Sequence, residues 1–64
     1  MSIRAQFDEV LDSLVNGQRT QAYDQMRAIG ASDLPGMLEY FDWQLKRPDM
    51  AIDAAKTYFR HSAR

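Results

Sequence analysis

The amino-acid sequence predicts an all-α fold, a small bundle of four short helices arranged as two antiparallel helical hairpins. Apolar residues recur three and four positions apart along most of the chain, which is the spacing of one helix face. Residues that stop helices, Asn16-Gly17, Gly30 and Pro48, divide this pattern into four segments. The connections are about two to five residues long, a length that favours antiparallel neighbours. We therefore expect residues 1–64 to form a single helical domain.

The first helix is predicted over residues 3–15. Ser2 precedes it and can cap its free amide groups, and Gly17 follows where a left-handed backbone ends many helices. The carboxylates of Asp8 and Asp12 lie on the polar side, and we expect them to be solvated. The apolar face of this helix consists of Ile3, Phe7, Val10, Leu11, Leu14 and Val15.

The second and third helices are predicted over residues 20–29 and 34–46. Thr20 is the expected cap of the second helix, and Gly30 its end. Pro35 fits the first turn of the third helix, because its missing N–H would have no partner there. The expected core residues are Ala22, Met26 and Ile29 in the second helix, and Leu34, Met37, Leu38, Phe41 and Leu45 in the third.

The fourth helix is predicted over residues 49–61, because Pro48 breaks the preceding helix. A broad apolar face is expected of a helix that is central in the fold or shared with another subunit. Met26, Met37 and Met50, from three helices, are expected to fill gaps in the core. The apolar residues of the fourth helix cover more than half of its circumference: Met50, Ala51, Ile52, Ala54, Ala55, Tyr58 and Phe59.

A chain of 64 residues has little interior in which to bury these faces. Domains near this size bury only about 60% of the surface that the unfolded chain exposes. Chains this short usually gain stability from disulfides, a metal ion or oligomerisation. The sequence has no cysteine, and His61 is its single histidine, so disulfides are excluded and a conventional zinc site lacks ligands. Self-association or binding to a larger partner is therefore expected.

The charge balance argues against nucleic acid and membrane partners. Eight Lys and Arg residues face nine Asp and Glu residues, for a formal net charge of −1. Nucleic-acid-binding domains usually carry a basic excess, and polybasic membrane anchors need a block of like charge. No apolar run approaches the roughly 18 residues of a membrane span, and acidic residues stand where a signal peptide would be apolar. We expect a cytoplasmic protein.

No pattern in the sequence is typical of a catalytic, cofactor or metal site. The serines lack a histidine or cysteine partner at motif spacing, and the three glycines are too far apart to form a phosphate loop. Asp8 and Asp12 are four residues apart but lack the further oxygen ligands of a cation site. His61 is expected to be solvated at a helix end, where its positive charge is favourable. We predict no enzymatic activity, no cofactor and no metal.

A helix-turn-helix DNA-binding transcriptional regulator is the alternative function. Gly30 and Ser32 fall where such units place a turn and a cap before the recognition helix. Glu39 and Asp42 count against it, because carboxylates on that helix would face phosphates. The basic residues that could contact a DNA backbone are dispersed: Arg19, Arg27, Lys46 and Arg47.

The surplus of aromatic residues on the third helix gives the preferred function. Tyr40, Trp43 and Arg47 recur at spacings of three and four, off the core stripe, and belong to the types most enriched at binding hot spots. Either the third helix is central and the fold covers this side too, or the side is a contact surface. We predict that these three residues, with Tyr58 and Phe59 next to them, bind a partner. The protein is then a small non-enzymatic protein-protein interaction module, a homodimer that modulates or inhibits a larger protein.

Overall fold

The computed structural model describes residues 2–63, and the regular structure in this range is helical. The helices are α1 (Ile3–Val15), α2 (Arg19–Ile29), α3 (Leu34–Glu39) and α4 (Pro48–Ser62); a π-helical turn, the π segment (Tyr40–Gln44), continues α3. Helix α1 packs on α2, and α3 with the π segment packs on α4. Helix α4 also contacts α1 and α2, which joins the two pairs. The predicted helical bundle of two hairpins is confirmed.

Helix α1 has the bounds that the sequence predicts. The Ser2 hydroxyl accepts a hydrogen bond from the Ala5 amide at 3.2 Å, and Gly17 takes a positive φ of 76° just after the helix ends. The ends of its apolar face lie outside the core, since Ile3 is 43% and Val15 63% exposed. Only the middle of the predicted face is therefore buried.

Helix α2 starts one residue earlier than predicted, so the assignment of Thr20 as its cap is wrong. The Ala22 amide donates to the Gln18 carbonyl at 3.0 Å, which makes Gln18 the residue before the first turn. The Gln18 side chain makes no capping hydrogen bond. Gly30 ends the helix as predicted, with a φ of 98° that side-chain-bearing residues rarely adopt.

The structure does not have the single α-helix that was predicted over residues 34–46. After six residues of α-helix, the Leu45 amide donates to the Tyr40 carbonyl at 3.0 Å, five residues back instead of four. This turn carries one more residue than an α-helical turn, which rotates the residues that follow. Lys46 then takes a φ of 55° and ends the helix. The following Arg47 has a φ of −123°, outside the α region, as residues before a proline prefer.

The core lies where the four helices meet and is made mainly of the predicted apolar residues. All three expected methionine fillers, from α2, α3 and α4, are buried. The hydroxyl of the buried Ser13 is also paired, because it donates to Gln25 Oε1 at 2.9 Å. The buried apolar set is Phe7, Val10, Leu14, Ala22, Met26, Leu34, Met37, Tyr40, Phe41, Met50 and Ala54.

Two glycines give a matched test of this backbone. Gly30 has a positive φ, whereas Gly36 is helical, and a methyl group at Gly36 would meet no atom within 4 Å. We expect Gly36→Ala to raise the free energy of unfolding by about 0.5–1 kcal/mol. We expect Gly30→Ala to lower it by about 1–2 kcal/mol, because alanine is strained there. Urea unfolding followed by circular dichroism measures both. Equal effects of the two substitutions would contradict the backbone assigned to Gly30.

Candidate protein-interaction surface

Tyr40 lies in the core and not on an exposed face with Trp43. Its side chain is 9% exposed, its ring centroid is 5.7 Å from that of Phe7, and its hydroxyl donates to Asp8 Oδ1 at 2.7 Å. The Arg4 guanidinium lies 5.4 Å from the ring centroid. Asp8 is exposed, as expected, but its carboxylate also accepts this bond and so holds Tyr40 to α1. The predicted grouping of Tyr40 with Trp43 assumed α-helical spacing, which the π segment interrupts.

The hydrogen bond to Asp8 raises the pKa of Tyr40. The bond contributes most, because it holds the proton on the phenol, and burial and the negative charge of Asp8 add to it. Arg4 acts weakly in the opposite direction. Tyr40 is thus a neutral donor that joins α1 to the π segment.

Trp43 projects from the π segment into solvent, with 74% of its surface exposed. The chain's own fold therefore does not cover Trp43, in contrast to the alternative in which the third helix is central. The neighbouring Gln44 accepts a hydrogen bond from the Arg4 guanidinium at 3.0 Å, which attaches this end of the π segment to α1. Trp43 is a large apolar side chain presented on an anchored turn.

Arg47 is engaged at the start of α4. Its Nε and one terminal nitrogen donate to the two carboxylate oxygens of Asp49, each at 3.2 Å. These bonds lower the pKa of Asp49 and raise that of Arg47. Asp49 lies in the first turn of α4, where negative charge is favourable. The Arg47 side chain is 50% exposed in this pair, which lies at the start of α4.

Tyr58 and Phe59 lie at a groove between α3 and α4, which we call the apolar groove. Its volume is about 230 Å³. Phe59 is 69% exposed at this groove, while Tyr58 is half-buried and packs against the core. Trp43 does not line the groove, so the predicted residues belong to different surfaces. The lining is Met26, Ala31, Leu34, Pro35, Met37, Leu38, Ala54, Ala55, Tyr58 and Phe59.

The sequence reasoning missed the wall that α3 contributes to this groove. Leu34 and Leu38 were expected only as core residues, yet both also line the groove. A signal for it was present: the fourth helix has a wider apolar face than one neighbouring helix can cover. Periodicity identifies an apolar face, but it does not identify which helix or partner packs against that face.

The basic residues of the DNA-binding alternative lie in separate environments. Arg19 pairs with Asp53 at 3.1 Å, Arg47 pairs with Asp49, and Arg27 lies 5.9 Å from the ring centroid of Tyr23. The helix-turn-helix function stays a prediction.

His61 is more constrained than the predicted solvated residue. Its Nδ1 is 2.9 Å from the Thr57 carbonyl oxygen, so Nδ1 carries a proton and donates. Its ring stacks on Tyr23, with centroids 5.3 Å apart and planes at 24°. Half-buried between α2 and α4, it presents Nε2 as its remaining polar atom.

Residues 2–63 contain no group of three or more His, Cys, Asp or Glu side chains placed to hold a metal ion. None of the helices in this range has the length and apolar character needed to cross a membrane. Comparison of the chain with protein families, curated proteins and solved structures found no match.

Ionisation of Tyr40 should weaken the fold at alkaline pH. A raised pKa means that the folded state favours the neutral phenol, so this contribution is present below the ordinary value of about 10 and is lost as pH rises through the raised value. We expect Tyr40→Phe to be less stable than wild type at neutral pH, and the difference to shrink above pH ~10. Urea midpoints across this range measure it.

Tyr58→Phe is the matched control, since the Tyr58 hydroxyl makes no hydrogen bond within residues 2–63. Its difference from wild type should not follow the Tyr40→Phe profile. A Tyr40→Phe difference that stays constant through the alkaline range would contradict the bond to Asp8.

Proposed function

We propose that the protein is a small non-enzymatic interaction module of the cytoplasm that forms a homodimer through the apolar groove and modulates a larger protein. The observation that carries this proposal is a protruding aromatic ring and an apolar recess on the same face. Phe59 is 69% exposed, and the groove beside it has a volume of about 230 Å³. A surface with both a knob and a hole can pair with a copy of itself across a two-fold axis.

The area involved indicates a weak dimer. A standard interface buries about 800 Å² per partner, nearly a fifth of the 4278 Å² surface of this chain. Burying the exposed part of Phe59 contributes about 3 kcal/mol per copy. Association costs about 4–15 kcal/mol in lost freedom of motion. Two phenylalanines offset little more than the lower bound, so the exposed Pro35 and the half-buried Leu38 must contribute contact area.

Trp43 is the proposed anchor for the larger partner. Its side chain is exposed and does not line the groove, so it stays accessible in the proposed dimer. Tryptophan is enriched at binding hot spots because it buries much area with few rotatable bonds. Single-turn π-helical insertions are also frequent at functional sites, and Trp43 lies within one. A dimer would present two copies of this anchor.

Phe59→Glu should abolish self-association. A carboxylate cannot enter an apolar recess without losing its hydration, so the sedimentation-equilibrium mass should stay at the 7.4 kDa of one chain. The wild-type mass should rise toward twice that value as concentration increases. Circular dichroism should be unchanged, because Phe59 is mostly exposed.

Val15→Glu is the matched control, since Val15 is 63% exposed on α1 and does not line the groove. It should dimerise like wild type. A wild-type mass that stays monomeric at millimolar concentration, or a Val15→Glu chain that also loses the dimer, would overturn the assignment of the groove.

A further inference from the structure

A second concave site, the basic cleft, lies between the start of α2 and the second half of α4. Its volume is about 360 Å³, and His61 also borders a neighbouring hollow toward Asp24 and Arg27. The cleft is lined by Arg19, Asp53, Lys56, Thr57, Arg60 and His61.

The cleft has an excess of positive charge in a chain that is slightly acidic. Three permanent cations, Arg19, Lys56 and Arg60, face the single carboxylate of Asp53, whereas the whole chain has a net charge of −1. Asp53 is already engaged, since it accepts from Arg19 at 3.1 Å and from the Thr57 hydroxyl at 3.5 Å. Two positive charges are therefore left over where the walls are concave, a shape that concentrates the field on a bound anion.

The donors that these cations offer are free within residues 2–63. Neither Lys56 nor Arg60 has a carboxylate within ion-pair distance in this range. Arg19 uses a single terminal nitrogen for Asp53, which leaves its other terminal nitrogen and its Nε available. Guanidinium and ammonium groups are the strongest protein donors to phosphate oxygens.

The helix dipole explains only part of this cluster. Arg60 and His61 lie in the last turn of α4, where cations are stabilised by the negative end of the helix. Lys56 lies a full turn earlier, four residues from Arg60, and like charges at this spacing repel each other. Arg19 belongs to a different helix. A bound anion would relieve this repulsion and use all three donors.

We infer that the basic cleft binds a phosphate dianion, free or as the monoester of a small molecule. Lys56 and Arg60 supply the charge that attracts it, and Arg19 orients its oxygens from the opposite wall. The site is separate from the apolar groove and does not depend on dimer formation.

Titration of the ¹⁵N-labelled protein with inorganic phosphate tests the site, with sodium chloride at equal ionic strength as reference. We expect saturable shifts in the amides of Lys56, Arg60 and His61 with phosphate, and only small, unsaturable shifts with chloride. Lys56→Gln should weaken phosphate binding about thirtyfold, the effect of removing one positive charge at contact distance from a dianion in water. Glycerol 3-phosphate serves as the second probe: tighter binding than phosphate identifies an esterified ligand, and equal binding a free anion.

Lys46→Gln is the control, because it removes the same charge outside the cleft. It should bind phosphate like wild type. Shifts that follow ionic strength alike in phosphate and chloride would overturn the inference. So would a loss of affinity in Lys46→Gln equal to that in Lys56→Gln.

Discussion

Burial of two adjacent aromatic residues, Tyr40 and Phe41, determines how the chain runs from α3 to α4. Neighbours on an α-helix point about 100° apart, so a regular helix that centred Phe41 in the core would turn Tyr40 toward its flank. The wider π turn begins at Tyr40, and both residues are buried, at 9% and 0% exposure. The Tyr40 hydroxyl then reaches Asp8, which ties the second hairpin to the first helix.

The same π turn determines which side chains of this region are exposed on the surface. The extra residue rotates Trp43 away from Tyr40 and into solvent, and Arg47 ends at the start of α4, where it holds Asp49. Because α3 is α-helical for only six residues, its wall against α4 is short. Leu38, near the end of that wall, lines the apolar groove with Phe59. The total surface of 4278 Å² is close to the ~4200 Å² expected for this mass, so the exposed aromatics reflect placement and not a loose fold.

Much of the fold could be predicted from the sequence, because helix bounds and core faces follow from local rules. Gly17, Gly30 and Pro48 lie at the boundaries between helices. Phe7, Val10 and Met37 are buried, as their periodicity predicts. The π turn could not be predicted in this way, because periodicity assumes a single helical register. The bond from Tyr40 to Asp8 spans 32 positions, and the basic cleft combines two helices distant in sequence. Such contacts depend on tertiary packing. The sequence pattern therefore places Tyr40 on the wrong face and does not bring Lys56 and Arg60 together with Arg19.

Acrylamide quenching of the chain's single tryptophan measures whether the π turn exposes Trp43. The measurement is made on the dilute wild type and at millimolar concentration. We expect quenching close to that of a free tryptophan amide at both concentrations, because Trp43 lies outside the core and outside the groove. Strong protection in the dilute protein would place Trp43 in the core and contradict the rotation at Tyr40.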